Sequence, residues 1–267
     1  MVMPSQEVRV DGCLLRYADS GGEGTPIVFT HGAGADHHMF DAQYDRLAMS
    51  GHRVVVWDMR GHGASRPNGE SFTGERAHQD LLALIEHLRL FKPVLAGHSL
   101  GGNLSQAAVR RSPGSYRALI VMGSTWNTGP LTATERFLLK LAAPSLALVP
   151  ESRLPLLMAR ASAVTSAARE DAVRAFAQMS KPRFIEVWKA TVGFVTPEPS
   201  YRTPLPLCLI RGSADETGNI ATAMPRWAAA EGISEHVIPG AGHLVSQDAP
   251  EAVTAVIERF VSTLPRV

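Results

Sequence analysis

The chain has 267 residues, enough for one large domain or for a domain carrying an insertion. Its 26 Lys and Arg nearly balance 25 Asp and Glu, a net charge of +1 that leaves no electrostatic case for a nucleic acid or an anionic membrane as partner. Two cysteines exclude a disulfide framework, the start MVMPSQEVRVDG lacks the basic-then-apolar order of a signal peptide, and no apolar stretch reaches the roughly 18–20 residues that span a bilayer; a soluble cytoplasmic protein is expected.

In chain order, VRVDGCLLRY predicts two short strands turned at Asp11-Gly12, placed as an antiparallel edge. Six apolar, β-branched runs follow at 26–31, 53–58, 93–97, 118–123, 206–212 and 235–240. They are apolar throughout instead of alternating, which predicts strands buried on both faces. Cys13 and Cys208 lie in strand-like runs and read as buried free thiols. Between the runs, residues 74–90 put Ala77, Leu81, Leu84, Ile85 and Leu88 on one helical face, and residues 250–264 do the same with Val253, Val256, Ile257, Phe260 and Leu264. Alternating strand and helix predicts a mostly parallel sheet with helices on both sides, an α/β fold.

The alternation breaks over 127–203, where the pattern turns helical and prolines 130, 144, 150, 155 and 182 punctuate it. Pro182 suits the first turn of a helix. Ile185, Trp188, Val192 and Val195 then form an apolar stripe, usually core but here also able to roof a pocket. TPEPSYRTPLP (196–206) reads as an extended return. The segment is expected to be a helical insertion over the sheet's carboxyl edge.

The chemistry starts at GHSLGG (97–102), which follows a strand-like run and opens a helix-like one. A serine hydroxyl is a poor nucleophile until a base takes its proton, and G-x-S-x-G between strand and helix holds such a serine on a sharp bend. Ser99 therefore reads as a nucleophile in preference to a structural turn. His243, in PGAGH at the carboxyl end of the last strand-like run, is the expected base, since the other histidines do not follow a late strand in this way. Asp215, just after the penultimate strand, is the expected orienting acid, with the adjacent Glu216 as competitor. The order Ser, Asp, His is the one this elbow predicts.

An oxyanion needs preorganised N–H donors. Leu100 N–H, directly after the serine, is one candidate; Ala33, in the loop HGAGAD with Gly32 and Gly34, is the other. His31 is expected to order this loop by hydrogen bonding. Adjacent His37 and His38 are poorly placed to share one metal, no zinc motif is present, and neither metal nor cofactor is expected. Asp58, Arg60, Gly61 and Gly63 in WDMRGHGAS read as a fixed polar turn.

HGAG, DMRGHGAS, GHSLGG, GSAD and GAGH, in this order over residues 31–243, resemble the α/β-hydrolase fold superfamily, in its serine-nucleophile, esterase- or lactonase-like form. The resemblance implies a mostly parallel eight-stranded sheet flanked by helices, a core domain of 1–126 and 204–267, and a helical cap at 127–203. It implies a triad of Ser99, Asp215 and His243, with Ala33 and Leu100 as oxyanion donors. Trp126 and Asn127 match positions that often line the pocket, and Gly32, Gly34, Trp188 and Leu244 complete the expected substrate contacts. Haloalkane dehalogenases and epoxide hydrolases of this fold use an aspartate nucleophile, unlike Ser99. Carbon–carbon bond hydrolases typically carry tryptophan after the catalytic histidine, where this chain has Leu244.

The leading expectation is a serine hydrolase cleaving a small-molecule carboxylic ester or lactone through an acyl-enzyme. The alternatives are a carbon–carbon bond hydrolase, a lyase or cofactor-free oxygenase on the same fold, and a hydrolase-like ligand receptor. The sequence assigns no oligomeric state.

Overall fold

The computed structural model describes residues 2–67 and 71–265. Strands β1 (Gln6–Val10) and β2 (Cys13–Asp19) form the expected antiparallel hairpin. Asp11 and Gly12 both have positive φ, +42° and +73°, as a tight two-residue hairpin turn requires. β3 (Pro26–Thr30), β4 (Arg53–Trp57), β5 (Val94–His98), β6 (Ala118–Met122), β7 (Leu207–Gly212) and β8 (His236–Ile238) are parallel to one another. The eight strands make one sheet in the order β1-β2-β4-β3-β5-β6-β7-β8, with β2 antiparallel to β4. The sheet is thus mixed, and its parallel part begins at β4.

Alternate residues of the central strands serve opposite faces, which is why those strands are apolar throughout. Ile27, Phe29, Val54, Val56 and Ile120 pack on one face with α1 (Asp41–Met49) and the C-terminal helix, of which Leu47, Val253 and Ile257 are buried. Val28, Val55, Leu95, Leu119 and Val121 pack on the other with α2 (Gly74–His87) and α3 (Leu100–Arg111). Cys13 and Cys208 are buried free thiols in these opposite layers. Burial raises Cys208 to about 12; for Cys13 burial, joined by the nearby Asp80 charge, gives about 11.

Four helices lie between β6 and β7: α4 (Ala133–Leu148), α5 (Leu154–Ser162), α6 (Ser166–Ala177) and α7 (Lys181–Gly193). Beyond β7 come α8 (Ile220–Glu231), α9 (Val245–Asp248) and α10 (Pro250–Ser262), the C-terminal helix. The chain enters and leaves the insertion side by side: Thr196 N–H donates to Asn127 C=O and Glu198 N–H to Thr128 C=O, each at 2.8 Å. Among the described residues, no helix is long and apolar enough to cross a membrane.

Four expectations are corrected. β8 is an edge strand whose His236 and Val237 are exposed, because a strand with one neighbour is covered on fewer sides. Pro144 does not punctuate: α4 runs through it for a further turn. α2 stops at His87, since Arg89 adopts φ +50° just beyond its C-cap. β5 extends to His98, leaving Ser99 alone between strand and helix.

Candidate active site

Ser99 has φ +51° and ψ −116°, a conformation that L-residues avoid and that costs on the order of 1–3 kcal/mol. The surroundings hold it there. Its N–H donates to Met122 C=O on β6 at 2.9 Å, and its C=O accepts from Asn103 N–H and the Ser124 hydroxyl, both at 2.9 Å. The sharp bend brings strand and helix so close that a Cβ on Gly97 would enter the Gly101 carbonyl, and one on Gly101 would enter that of Thr30. The glycines of the elbow are therefore a steric requirement of its backbone.

His243 stands in the loop between β8 and α9, and its Nδ1–H donates to Asp215 Oδ2 at 3.0 Å. Nε2 is then the ring atom left for proton exchange. Asp215 is almost fully buried at the end of β7, and its Oδ1 accepts from Thr217 N–H at 2.9 Å. Burial alone would raise its carboxyl; the His243 ring beside it and the bonds from His243 and Thr217 outweigh this and hold it below the ordinary value. Glu216 is exposed and takes no part in this pair. His98, one residue before the serine, donates through Nε2 to His243 C=O at 2.7 Å, with ring centroids 4.7 Å apart. Burial, then the neighbouring His243, push His98 down to about 3, so it stays neutral.

The loop after β3 is ordered as expected. His31 Nδ1–H donates to Gly32 C=O at 2.8 Å, and His31 Nε2 accepts from Met59 N–H at 3.0 Å. Among the described residues, neither Ala33 N–H nor Leu100 N–H has a protein acceptor. Gly34 has φ +73°, and a Cβ there would enter the rings of Phe176 on α6 and Phe184 on α7. The insertion thus packs directly on this loop.

Ser99, His243, Gly32, Ala33 and Leu244 line one cavity of about 30 Å³. A second cavity of about 470 Å³ opens from Ser99 between α4, α7 and the loop before α8. Ser99, Trp188 and Thr217 line both. The Ser99 hydroxyl makes no hydrogen bond to His243 among the described residues; such bonds often tighten only once substrate is bound.

Other expected contacts are elsewhere. Trp126 stacks on Trp227, with ring planes 2° apart, and Asn127 bonds to Asn103 and Gln106 at the neck of the insertion. Neither they nor Gly34 line the two cavities at Ser99. Of the apolar stripe, Trp188, Val192 and Val195 face the larger cavity, whereas Phe184 and Val187 supply the buried contacts of α7. His37 and His38 face different carboxylates, Asp58 and Asp41. Arg60 forms a buried bidentate pair with Asp80, which anchors the polar turn. Among the described residues, no group of three or more His, Cys, Asp or Glu could hold a metal ion.

Two carboxylates went unnoticed in the sequence. Asp248 accepts from Gly242 N–H at 2.9 Å, and from Val164 N–H, Thr165 N–H and the Thr165 hydroxyl between α5 and α6 at 2.8–3.1 Å. It clamps the His243 loop to the insertion. Glu135 lines the larger cavity; burial opposes its ionisation, but bonds from Thr132, Asn219 and Arg226 bring it down to about 2. The Thr132-x-x-Glu135 capping box was a usable signal for Glu135's place on α4; nothing local marked Asp248.

The model of the Alpha/beta hydrolase family matches residues 27–256. The chain belongs to that family. Among solved structures, this chain is similar to a thermophilic esterase from Thermogutta terrifontis, with 25% identity, a TM-score of 0.74, and coverage of 97% of this chain and 98% of that one. The enol-lactonase from Burkholderia xenovorans LB400, 20% identical with a TM-score of 0.80 over 96% of this chain and all of that one (100%), shares the fold. Among curated relatives, a non-heme haloperoxidase of Rhodococcus erythropolis is 33% identical over 115 residues, 43% of this chain and 42% of its own length. A dihydrolipoyllysine-residue acetyltransferase component of an acetoin cleaving system from Pseudomonas putida is 36% identical over 120 residues, 45% of this chain and 32% of its own length. The chain therefore spans well under half the length of these two relatives.

Proposed function

We propose that the protein is a serine hydrolase of carboxylic esters or lactones, using Ser99 as nucleophile, His243 as base and Asp215 as its orienting acid. The observation that carries this reading is the Asp215-bonded His243 facing the same cavity as Ser99 on its strained bend. The likeness to an esterase at 25% identity supports it. Ser99 Oγ attacks the carbonyl carbon as His243 Nε2 takes its proton, and the oxyanion is held by the free N–H groups of Ala33 and Leu100, each worth about 2.7–4 kcal/mol. His243 then gives the proton to the leaving alcohol. Water, deprotonated by the same ring, releases the acid. Residues 127–203 act as a cap whose α7 closes the pocket.

Ser99→Ala is the direct test, with turnover followed on a panel of simple esters and lactones. The expected result is a loss of about 10⁴-fold or more with the fold retained by circular dichroism; full turnover by the variant would end this reading. A relative named a non-heme haloperoxidase shows that similar chains are not all named for ester hydrolysis; in a second reading the His243–Asp215 pair does proton transfer in cofactor-free chemistry and Ser99 is secondary. Silence on every ester and lactone, without labelling of Ser99 by a fluorophosphonate, would favour it.

A further inference from the structure

The two cavities at Ser99 differ more than tenfold in volume, about 30 against about 470 Å³, and they differ in which reacting groups line them. Ala33 and His243 line the small one and not the large one. At the tetrahedral carbon on Ser99, three groups other than Oγ must find places. The oxyanion lies against Ala33 N–H. The leaving oxygen must come within about 2.6–3.2 Å of His243 Nε2 to receive its proton. Both are thereby directed to the small cavity, and the acyl carbon chain is left the large one.

A site of about 30 Å³ has room for about two water-sized groups. The oxyanion and the leaving oxygen take about these two places, so only the smallest alkyl groups, one or two carbons, can follow the leaving oxygen. Met158 and Leu244 line this side, and Trp188 and Thr217 are shared with the large cavity. The large cavity is apolar along α4, α7 and the turn after it, with Leu138, Leu139, Val192 and Val195, and polar along its floor, with Asn103 and Asn219. Among its described lining residues Glu135 is the one ionisable group, and its carboxylate is paired with Arg226 at 2.8 Å.

We infer that this chain selects esters of a very small alcohol, methanol or ethanol, joined to a larger acyl group. This rests on the hydrolase reading above and adds a direction to it: the acyl–oxygen bond breaks, a small alcohol leaves protonated by His243 from the 30 Å³ side, and the acid leaves from the 470 Å³ side after water adds to the acyl-enzyme.

Two crossed substrate series test this by titrating released acid. Octanoate esters of methanol, ethanol, butanol and hexanol vary the alcohol; methyl esters from acetate to octanoate vary the acid. The expected kcat/KM falls at least tenfold from methyl to butyl octanoate and rises from methyl acetate to methyl octanoate. Met158→Ala widens the small side and should raise the butyl-to-methyl ratio at least fivefold. Butyl and hexyl esters cleaved as fast as methyl, with turnover still dependent on Ser99, would overturn this inference and leave the hydrolase reading standing. No turnover of any ester, with Ser99 unlabelled by a fluorophosphonate, would remove both. The series on the unmodified protein decides the matter whether or not the Met158 variant folds.

Discussion

The carboxyl edge of the sheet and the helical insertion hold their shares of the site by different physics. At the sheet edge, Ser99 is fixed by backbone bonds on both sides and by approaches so close that only glycine fits. The insertion leaves Leu148 86% and Phe137 60% exposed and is tied down mainly through side chains, among them Asp248 to Val164 and Thr165, Arg174 to Asp36, Arg226 to Glu135, Glu186 to Phe72, and the Phe176–Phe184 pair on Gly34. Reacting groups come from the rigid part. The apolar wall of the larger pocket, with Trp188, comes from the insertion. An arrangement of this kind lets selectivity change without disturbing the strained bend.

Substitutions at three positions sharpen or break this comparison. The largest effect is expected on the rigid side: Asp215→Asn leaves the packing but removes the charge that fixes His243, and kcat should fall about 10⁴-fold with little change in the urea midpoint. A fall of less than tenfold would place the orienting charge elsewhere.

Next is the clamp between the two parts. Asp248→Ala leaves Gly242, Val164 and Thr165 donors without their acceptor, and should cost about 2 kcal/mol of stability together with roughly tenfold in kcat. Asp248→Asn, which keeps a carbonyl acceptor, should recover much of both. Equal damage from Ala and Asn would show that charge, not the acceptor, holds the loop.

The smallest effect concerns acid stability. His98 has a folded pKa of about 3 against an ordinary 6.5, so the unfolded chain binds the extra proton. Its contribution is complete above pH 6.5 and is lost progressively as pH falls toward 3, about 2 kcal/mol of it by pH 5. His98→Gln should therefore lose less stability than the parent between pH 7 and pH 5 in urea titrations. Equal losses would mean that His98 already shares its proton in the folded state.

The central strands, the elbow and the His243–Asp215 pair were readable because each rests on a local pattern: an apolar run, a glycine spacing, or a polar residue directly after a strand. What was not readable depends on contacts distant in sequence. Trp126 and Asn127 sit where a pocket residue could be, but Trp227, 101 positions on, draws the indole into a stack, and Asn103 and Gln106 occupy the amide. Asp248 lies five residues past His243 and looks like any polar residue near the start of a helix; its meaning comes from Val164 and Thr165, more than 80 positions earlier. β8 read as buried because a run of apolar letters does not say how many neighbours a strand has.

The buried cysteines have a practical consequence. At about 11 and about 12, neither Cys13 nor Cys208 offers appreciable thiolate at neutral pH, and each is sealed in a different layer of the sheet. They are built-in reporters: alkylation of Cys208 times the exposure of the α1–α10 side, alkylation of Cys13 that of the α2–α3 side, and the ratio of the two rates tells whether the layers open together.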